Sequence, residues 1–122
     1  MYSSLAEQGS VYAQSNLGYM YDTGRGTPQD YAEALKWYRL AAKRRDVNAQ
    51  INLGFMYGKG HAVLQDHIEA HKWFNLAASG APDEETRNIA IENRDLAAKL
   101  MTPSQIAEAQ KLAKQWDKAH PR

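Results

Sequence analysis

The 122-residue sequence contains no cysteine. This absence excludes disulfide bonds, thiolate catalysis and zinc sites built on cysteine. A chain without cysteine suits the reducing cytosol, but it also suits an exported protein. Cysteine usage therefore favours a cytoplasmic location only slightly, and the sequence leaves the compartment unknown.

Long apolar runs and an excess of charge of either sign are absent as well. No stretch approaches the roughly 18 to 20 apolar residues that span a bilayer. Residues 1–10 lack the basic start of a secretory signal peptide, so a periplasmic location would require that an upstream signal had been removed. The formal net charge is +1, which gives no electrostatic reason to expect a nucleic acid or a membrane as partner.

An internal repeat with a period of 36 residues dominates the chain. The units 11–46 and 47–82 align without a gap and are identical at eighteen of 36 positions. Because 43% of the residues are hydrophobic, residues 1–122 can bury the core of a single domain. Two units are fewer than the three or so that usually complete a solenoid core, so the flanking segments are expected to contribute.

Each unit is predicted to form two helices joined by a turn. In the first unit, apolar residues recur at helical spacing from about Val11 to Thr23. Gly18 interrupts this helix and recurs as Gly54. Since glycine inside a helix costs about 1 kcal/mol relative to alanine, its repetition predicts the close approach of a neighbouring helix.

The second helix of each unit is predicted to start at an aspartate. Asp30 and Glu33 have the spacing of a capping box, and Asp66 and Glu69 repeat it. Further on, a tryptophan and paired alanines recur on one face of this helix. Large and small residues that alternate in this way favour interlocking helix packing.

The repeated pattern is A-x-x-x-L-G-x-x-Y-x-x-G-x-G, then D, then A-x-x-W-Y-x-x-A-A. It resembles the Sel-one-like repeat, a relative of the tetratricopeptide repeat, over residues 11–82. The resemblance implies an all-α fold, an α/α superhelical solenoid of antiparallel helix pairs, and a role as a protein–protein interaction scaffold without a cofactor. Three positions depart from the family pattern, because Arg45, Ala62 and Ala81 stand where the family has a glycine.

The ends of the chain are expected to serve different purposes. Residues 1–10 align with the end of a preceding repeat, so the chain is expected to begin inside a second helix. The first helix of that unit would be missing, which would leave an apolar face and predicts a homodimer through the N-terminal end. Residues 83–122 are predicted to form two C-terminal capping helices.

The last of these helices has a strong start signal. Thr102 and Pro103 suit the N-cap and the first helical position. The predicted buried face of this helix comprises Ile106, Ala109, Ala113 and Trp116. The closing stretch from Met101 also resembles the terminal helix of bacterial members of the family, which favours a bacterial source.

The candidates for partner contact lie on the first helix of each unit. Most of them vary between the two copies, whereas residues identical in both copies are expected to serve packing. The candidates are Tyr12, Asn16, Tyr19, Asn48, Ile51, Asn52 and Phe55. In tetratricopeptide-like arrays the first helices line a concave groove, so Tyr19 and Phe55 are expected there as aromatic anchors. The alternative is that both rings pack against a neighbouring repeat.

Asparagine recurs within these otherwise apolar helices. Asn16 and Asn52 are identical in the two copies, and Asn88 keeps the same 36-residue step. A ladder of amides could hydrogen-bond the backbone of an extended peptide. The alternative is a hydrogen bond between helices within the solenoid.

Two other groups of residues invite a chemical interpretation. His67 and His71 are four residues apart and could share a metal on one helix face. Their counterparts Tyr31 and Leu35 cannot, so no metal is predicted. The basic run at residues 43–45 is predicted to be a solvated helix end, with contact to an acidic partner as the alternative.

Catalysis has no comparable support in the sequence. There is no nucleophile elbow and no phosphate-binding glycine loop. Some cysteine-rich relatives of the repeat are linked to β-lactam hydrolysis, but they depend on disulfides. The sequence therefore predicts a non-enzymatic scaffold that binds a protein or peptide partner, with a self-associating structural module as the alternative.

Overall fold

A computed structural model describes residues 2–122 and contains seven α-helices and no strand in that range. The helices are α1 (Tyr2–Glu7), α2 (Val11–Thr23), α3 (Tyr31–Lys43), α4 (Val47–Lys59), α5 (His67–Gly80), α6 (Glu84–Ala98) and α7 (Pro103–Ala119). Helix α2 packs against α3 and α4 against α5, so the predicted all-α helical-repeat fold is confirmed. Met1, which belongs to the predicted preceding repeat, lies outside the described residues.

The second helix of each unit starts after the predicted aspartate, but the capping-box spacing does not produce a complete capping box. Asp30 caps α3 by accepting a hydrogen bond from the backbone N–H of Glu33 at 3.2 Å, but no complete capping box forms there. Glu33 instead pairs with Lys36 at 3.7 Å, and in α5 Glu69 pairs with Lys72 at 3.0 Å. An ion pair one turn along the helix competes for the same carboxylate. A complete box is present at the start of α7.

The glycines within α2 and α4 accommodate buried aromatic rings. A Cβ atom at Gly18 would lie 2.6 Å from Cδ1 of Tyr38, and one at Gly54 would lie 2.7 Å from Cε1 of Phe74. Both rings are buried. The predicted close approach is confirmed, and it joins the two helices of each unit.

Successive units are joined by a buried glutamine. Gln14 donates from Nε2 to the carbonyl oxygen of Ala6, and Gln50 donates to that of Ala42, both at 3.2 Å. Both glutamines are buried, where an amide without a partner would be costly. The same hydrogen bond thus connects α1 to α2 and α3 to α4.

Arg45 and Ala62, two of the three departures from the glycine pattern, adopt left-handed backbone conformations, whereas Ala81 is extended with φ −61°. Their φ angles are 66° and 62°, and the counterparts Gly9 and Gly26 have φ angles of 93° and 76°. A side chain in this region costs about 1 to 2 kcal/mol. The family turn geometry is therefore retained at both positions despite the loss of glycine.

Helix α7 closes the core by packing mainly against α5. Trp116 meets Trp73 edge-on with ring centroids 5.4 Å apart. On the predicted buried face, Ala109 and Ala113 are buried, whereas Ile106 and Trp116 are half-buried. No helix within residues 2–122 is both long enough and apolar enough to cross a membrane.

Arg45 fastens the end of α7, so its predicted place in a solvated basic run is wrong. Its Nη2 donates to Oδ1 of Asp117 at 2.7 Å, and its Nε donates to the carbonyl oxygen of His120 at 3.0 Å. The guanidinium also lies over the ring of Trp116, 5.2 Å from its centroid. Sequence reasoning missed this role because the partners lie more than 70 residues away.

Candidate functional site

A groove of about 360 Å³ crosses the first helices of the units, α2 and α4, and continues onto α6. It is lined by Ser15, Asn16, Tyr19, Asn48, Ile51, Asn52, Thr86 and Ile89. Ile51 is buried and forms part of the floor, whereas the rings and amides around it are more accessible. Three helices from different parts of the sequence therefore contribute to one surface.

Five of the seven predicted contact residues line this groove. Tyr12 and Phe55 do not. Tyr12 is 70% exposed and lies beside Tyr2, with ring centroids 6.4 Å apart. Phe55 packs edge-on against Phe74 of its own unit at 5.3 Å and lines a separate pocket of about 160 Å³.

Among residues 2–122, the groove asparagines form no hydrogen bond between helices, which was considered as their alternative role. Asn16 donates from Nδ2 to the carbonyl oxygen of Tyr12, 2.8 Å away in the same helix. This leaves its side-chain oxygen able to accept a hydrogen bond. The buried glutamines Gln14 and Gln50 join the units instead. The glutamines are identical in both copies, and this identity was the sequence signal available for their structural role.

The predicted asparagine ladder does not extend to Asn88, which is exposed and does not line the groove. The N-cap residues Ser10 and Asp46 are 36 positions apart, but Asp46 and Asp83 are 37 apart. Counted from the N-cap, Ile89 is therefore the equivalent of Asn52. Helix α5 has 14 residues against 13 in α3, and this extra residue places an apolar side chain where the third amide was expected.

Thr86 and Ile89 were missed by the sequence analysis because the third unit is degenerate. A step of 36 residues relates them to Gln50 and Leu53, and neither of these lines the groove. Alignment on the capping aspartates would have found Ile89, since the cap fixes the first turn of a helix. Ser15 occupies the position that corresponds to Ile51 in the second unit and lines the groove beside Asn16.

The histidines offer no metal site among the described residues. No group of three or more His, Asp or Glu side chains is close enough there to hold an ion. His71 is buried, its Nδ1 has no hydrogen-bond partner, and burial lowers its pKa below the ordinary value. His67 is half-buried at the edge of the pocket beside Phe74.

The comparisons with known proteins agree with this architecture. A protective antigen present in uropathogenic Escherichia coli strains, which displays an SLR fold, is 30% identical with a TM-score of 0.89, over 98% of this chain and 25% of that one. A Sel1 repeat protein from Oxalobacter formigenes is 28% identical with a TM-score of 0.63, over 98% of this chain and 54% of its own.

This chain therefore spans a quarter of the first of these proteins and about half of the second. No curated protein sequence matches it. The Sel1 repeat model matches residues 11–46 and 47–81, which together make up more than half of the chain. On this match the chain belongs to the Sel1 (Sel-one-like) repeat family.

Proposed function

We propose that this protein is an interaction module that holds an extended segment of a partner protein in the groove across α2, α4 and α6. Sel1 repeats generally mediate protein–protein interactions and typically act as non-enzymatic scaffolds. The observation that carries the proposal is the groove, with a volume of about 360 Å³, that three helices line together.

The length of the groove suits a short peptide. Packed helices lie about 8 to 10 Å apart, so three adjacent helices span roughly 20 Å. An extended chain rises about 3.3 Å per residue, which corresponds to about six residues across the groove. A segment of that length would meet side chains from each helix.

The lining combines an anchor with hydrogen-bonding groups. Tyr19 is 42% exposed, and a tyrosine contributes a large contact area at a low entropic cost. Asn52 is half-buried, and its amide makes no hydrogen bond to another described residue. It can therefore donate to a peptide carbonyl and accept from a peptide N–H.

A selection from a random peptide library on phage, about 12 residues long, tests the proposal. Peptides enriched on the wild-type protein are then measured by isothermal titration against the Asn52→Ala and Tyr19→Ser variants. We expect each variant to weaken binding by about tenfold, which corresponds to about 1.4 kcal/mol. The thermal unfolding midpoint should stay unchanged because neither side chain is fully buried.

Matched controls are available on the same helices. Tyr12→Ser removes a tyrosine from α2 outside the groove, and Asn88→Ala removes an asparagine from α6 outside the groove. Both should bind the selected peptides as the wild type does. Equal losses at Tyr12 and Tyr19, or no loss in either groove variant, would refute the groove as the binding site.

Self-association through the N-terminal face is the second candidate. Leu5 is 42% exposed on α1 and Tyr12 is 70% exposed on α2, and exposed apolar side chains can join two copies. Light-scattering mass between about 1 and 300 micromolar tests it. A mass that rises with concentration and returns to the monomer value in Leu5→Ser would support it, and a constant monomer mass would exclude it in this range.

A further inference from the structure

We infer that a basic patch at the C-terminal ends of α3 and α7 binds an acidic peptide segment. The patch surrounds a depression of about 370 Å³ lined by Lys43, Arg44, Arg45, His120, Pro121 and Arg122. None of these residues lines the groove. The inference is therefore independent of the function proposed above.

The tertiary structure assembles the patch from two distant segments. Lys43 and Arg44 lie at the end of α3, whereas Arg122 follows α7. Arg45 brings the segments together because its guanidinium binds the carboxylate of Asp117 and the carbonyl oxygen of His120. The sequence shows only the run at residues 43–45 and gives no sign that Arg122 lies beside it.

The nearby carboxylates are already occupied. Asp117 accepts from Arg45 at 2.7 Å, so this pair adds little net charge to the patch. The carboxylate of Asp46 accepts from the backbone N–H of Ala49 at 2.9 Å and caps α4. Within residues 2–122, neither carboxylate forms an ion pair with Lys43, Arg44 or Arg122.

Three cations of the patch have no acidic partner among residues 2–122. Lys43 and Arg122 form no ion pair there, and Arg44 donates to the carbonyl oxygen of Gly9 only. All three side chains are exposed. A ligand that supplies two or three carboxylates would match the charge of this depression.

The helical repeat itself does not require these cations. At the positions that correspond to Lys43 and Arg44, the second unit carries Ser79 and Gly80 and still connects α5 to α6. The second unit thus shows that two helices of this fold can be connected without these cations. Their charge is available for recognition.

The charge pattern favours an acidic peptide over a nucleic acid. Nucleic-acid binding relies on an extended basic surface that contacts many phosphates. Here the whole chain has a formal net charge of only +1, and the three unpaired cations share one depression. Such a site suits a few adjacent glutamates or aspartates.

Fluorescence anisotropy with a labelled peptide of about eight glutamates tests the inference at about 50 mM salt, where screening is weak. We expect the Lys43→Ser/Arg44→Gly variant to bind about fivefold more weakly than the wild type. The single variant Arg122→Ser should weaken binding by about twofold and leaves the α3–α4 turn untouched. Circular dichroism establishes that each variant is folded.

The control is Lys99→Ser/Lys111→Ser, which removes the same charge from exposed positions at the C-cap of α6 and on α7, both outside the patch. It should bind the glutamate peptide within about twofold of the wild type. Equal weakening in both double variants, or no binding by the wild type, would overturn the inference. So would tighter binding of an oligothymidylate of the same charge.

Discussion

In both repeat units a glycine of the first helix faces an aromatic ring of the second helix. Only the first unit adds a hydrogen bond between side chains to this contact. In the first unit, the hydroxyl of Tyr38 donates to Oδ2 of Asp22 at 3.1 Å. Burial and the neighbouring carboxylate raise the pKa of Tyr38, so the phenol stays neutral. In the second unit Phe74 and Gly58 occupy these two positions, and both hydrogen-bonding groups are absent together.

This difference shows which part of the contact the fold requires. The glycine that faces the ring is identical in both units, at Gly18 and Gly54, whereas the polar pair occurs in one unit only. A buried phenol needs a partner because an unsatisfied hydroxyl is costly, and phenylalanine avoids that need. Close approach of the helices is therefore essential, and the hydrogen bond is an optional addition.

Gly54→Ala should have the largest effect on stability. The new Cβ would lie 2.7 Å from a carbon of the buried Phe74 ring, and overpacking of this kind costs about 1 to 3 kcal/mol. Better helix propensity recovers about 1 kcal/mol of that. Because so short a contact belongs at the upper end of the overpacking range, we expect a net loss of about 2 kcal/mol in the free energy of unfolding, measured with urea.

Gly58→Ala in the same helix is the matched control. Its Cβ would lie 3.8 Å from Cβ of Ala70, an ordinary contact. Only the propensity gain remains, so this variant should be up to about 1 kcal/mol more stable than the wild type. If both substitutions changed stability in the same direction, the packing role assigned to Gly54 would be wrong.

Arg45→Ala should be the next most disruptive change. It removes the hydrogen bonds that fasten the end of α7 and keeps a side chain at φ 66°. Each hydrogen bond contributes about 0.5 to 1.5 kcal/mol, and the lower end applies at this partly exposed site, so we expect a loss of about 1 kcal/mol in urea unfolding.

Arg45→Gly separates the two effects at this turn. It removes the same hydrogen bonds but relieves the backbone strain, so it should be about 1 kcal/mol more stable than Arg45→Ala. Equal stabilities of the two variants would show that the left-handed conformation carries no cost here.

Ala62→Gly restores the residue that the first unit has at Gly26. Because Ala62 holds φ at 62°, glycine should raise the free energy of unfolding by about 1 kcal/mol. The reverse change, Gly26→Ala, should lower it by a similar amount. A thermal melt that shows no gain for Ala62→Gly would contradict this assignment.

His71→Leu, which introduces the residue found at Leu35, should change the pH dependence of stability. The lowered pKa of His71 means that the unfolded chain binds more protons as the pH falls below the ordinary 6.5. Stability is therefore present above that pH and is lost as the pH falls toward the folded-state pKa. Urea unfolding at about pH 7.5 and 5.5 should show a smaller loss in the variant.

His67→Tyr, which copies Tyr31 of the first unit, is the control for this prediction. It removes a histidine that is only half-buried and should keep the wild-type pH dependence. A pH-dependent loss that is unchanged in His71→Leu would assign the effect to other groups.

The groove shows how far repeat comparison reaches. Sequence reasoning placed Tyr19, Ile51 and Asn52 on one surface because helical spacing carries over between two gapless copies. It did not anticipate that Phe55 lies outside the groove. An aromatic residue at this helical spacing gives the same sequence pattern whether its ring faces outward or packs on Phe74. Asn88 was also misplaced, because the extra residue in α5 shifts the numbering of α6 by one position, which corresponds to about 100° around a helix.

The sequence alone determined the helical repeat, the starts of the helices and the glycines at which helices meet. These features depend on local capping and on a pattern that occurs in two copies. The tertiary structure decided what depends on distant contacts. These are the fastening of α7 by Arg45, the contribution of Ile89 to the groove and the position of Arg122 beside Lys43. The path of α7 across α5 sets the first and the last of these, and no local rule encodes that path.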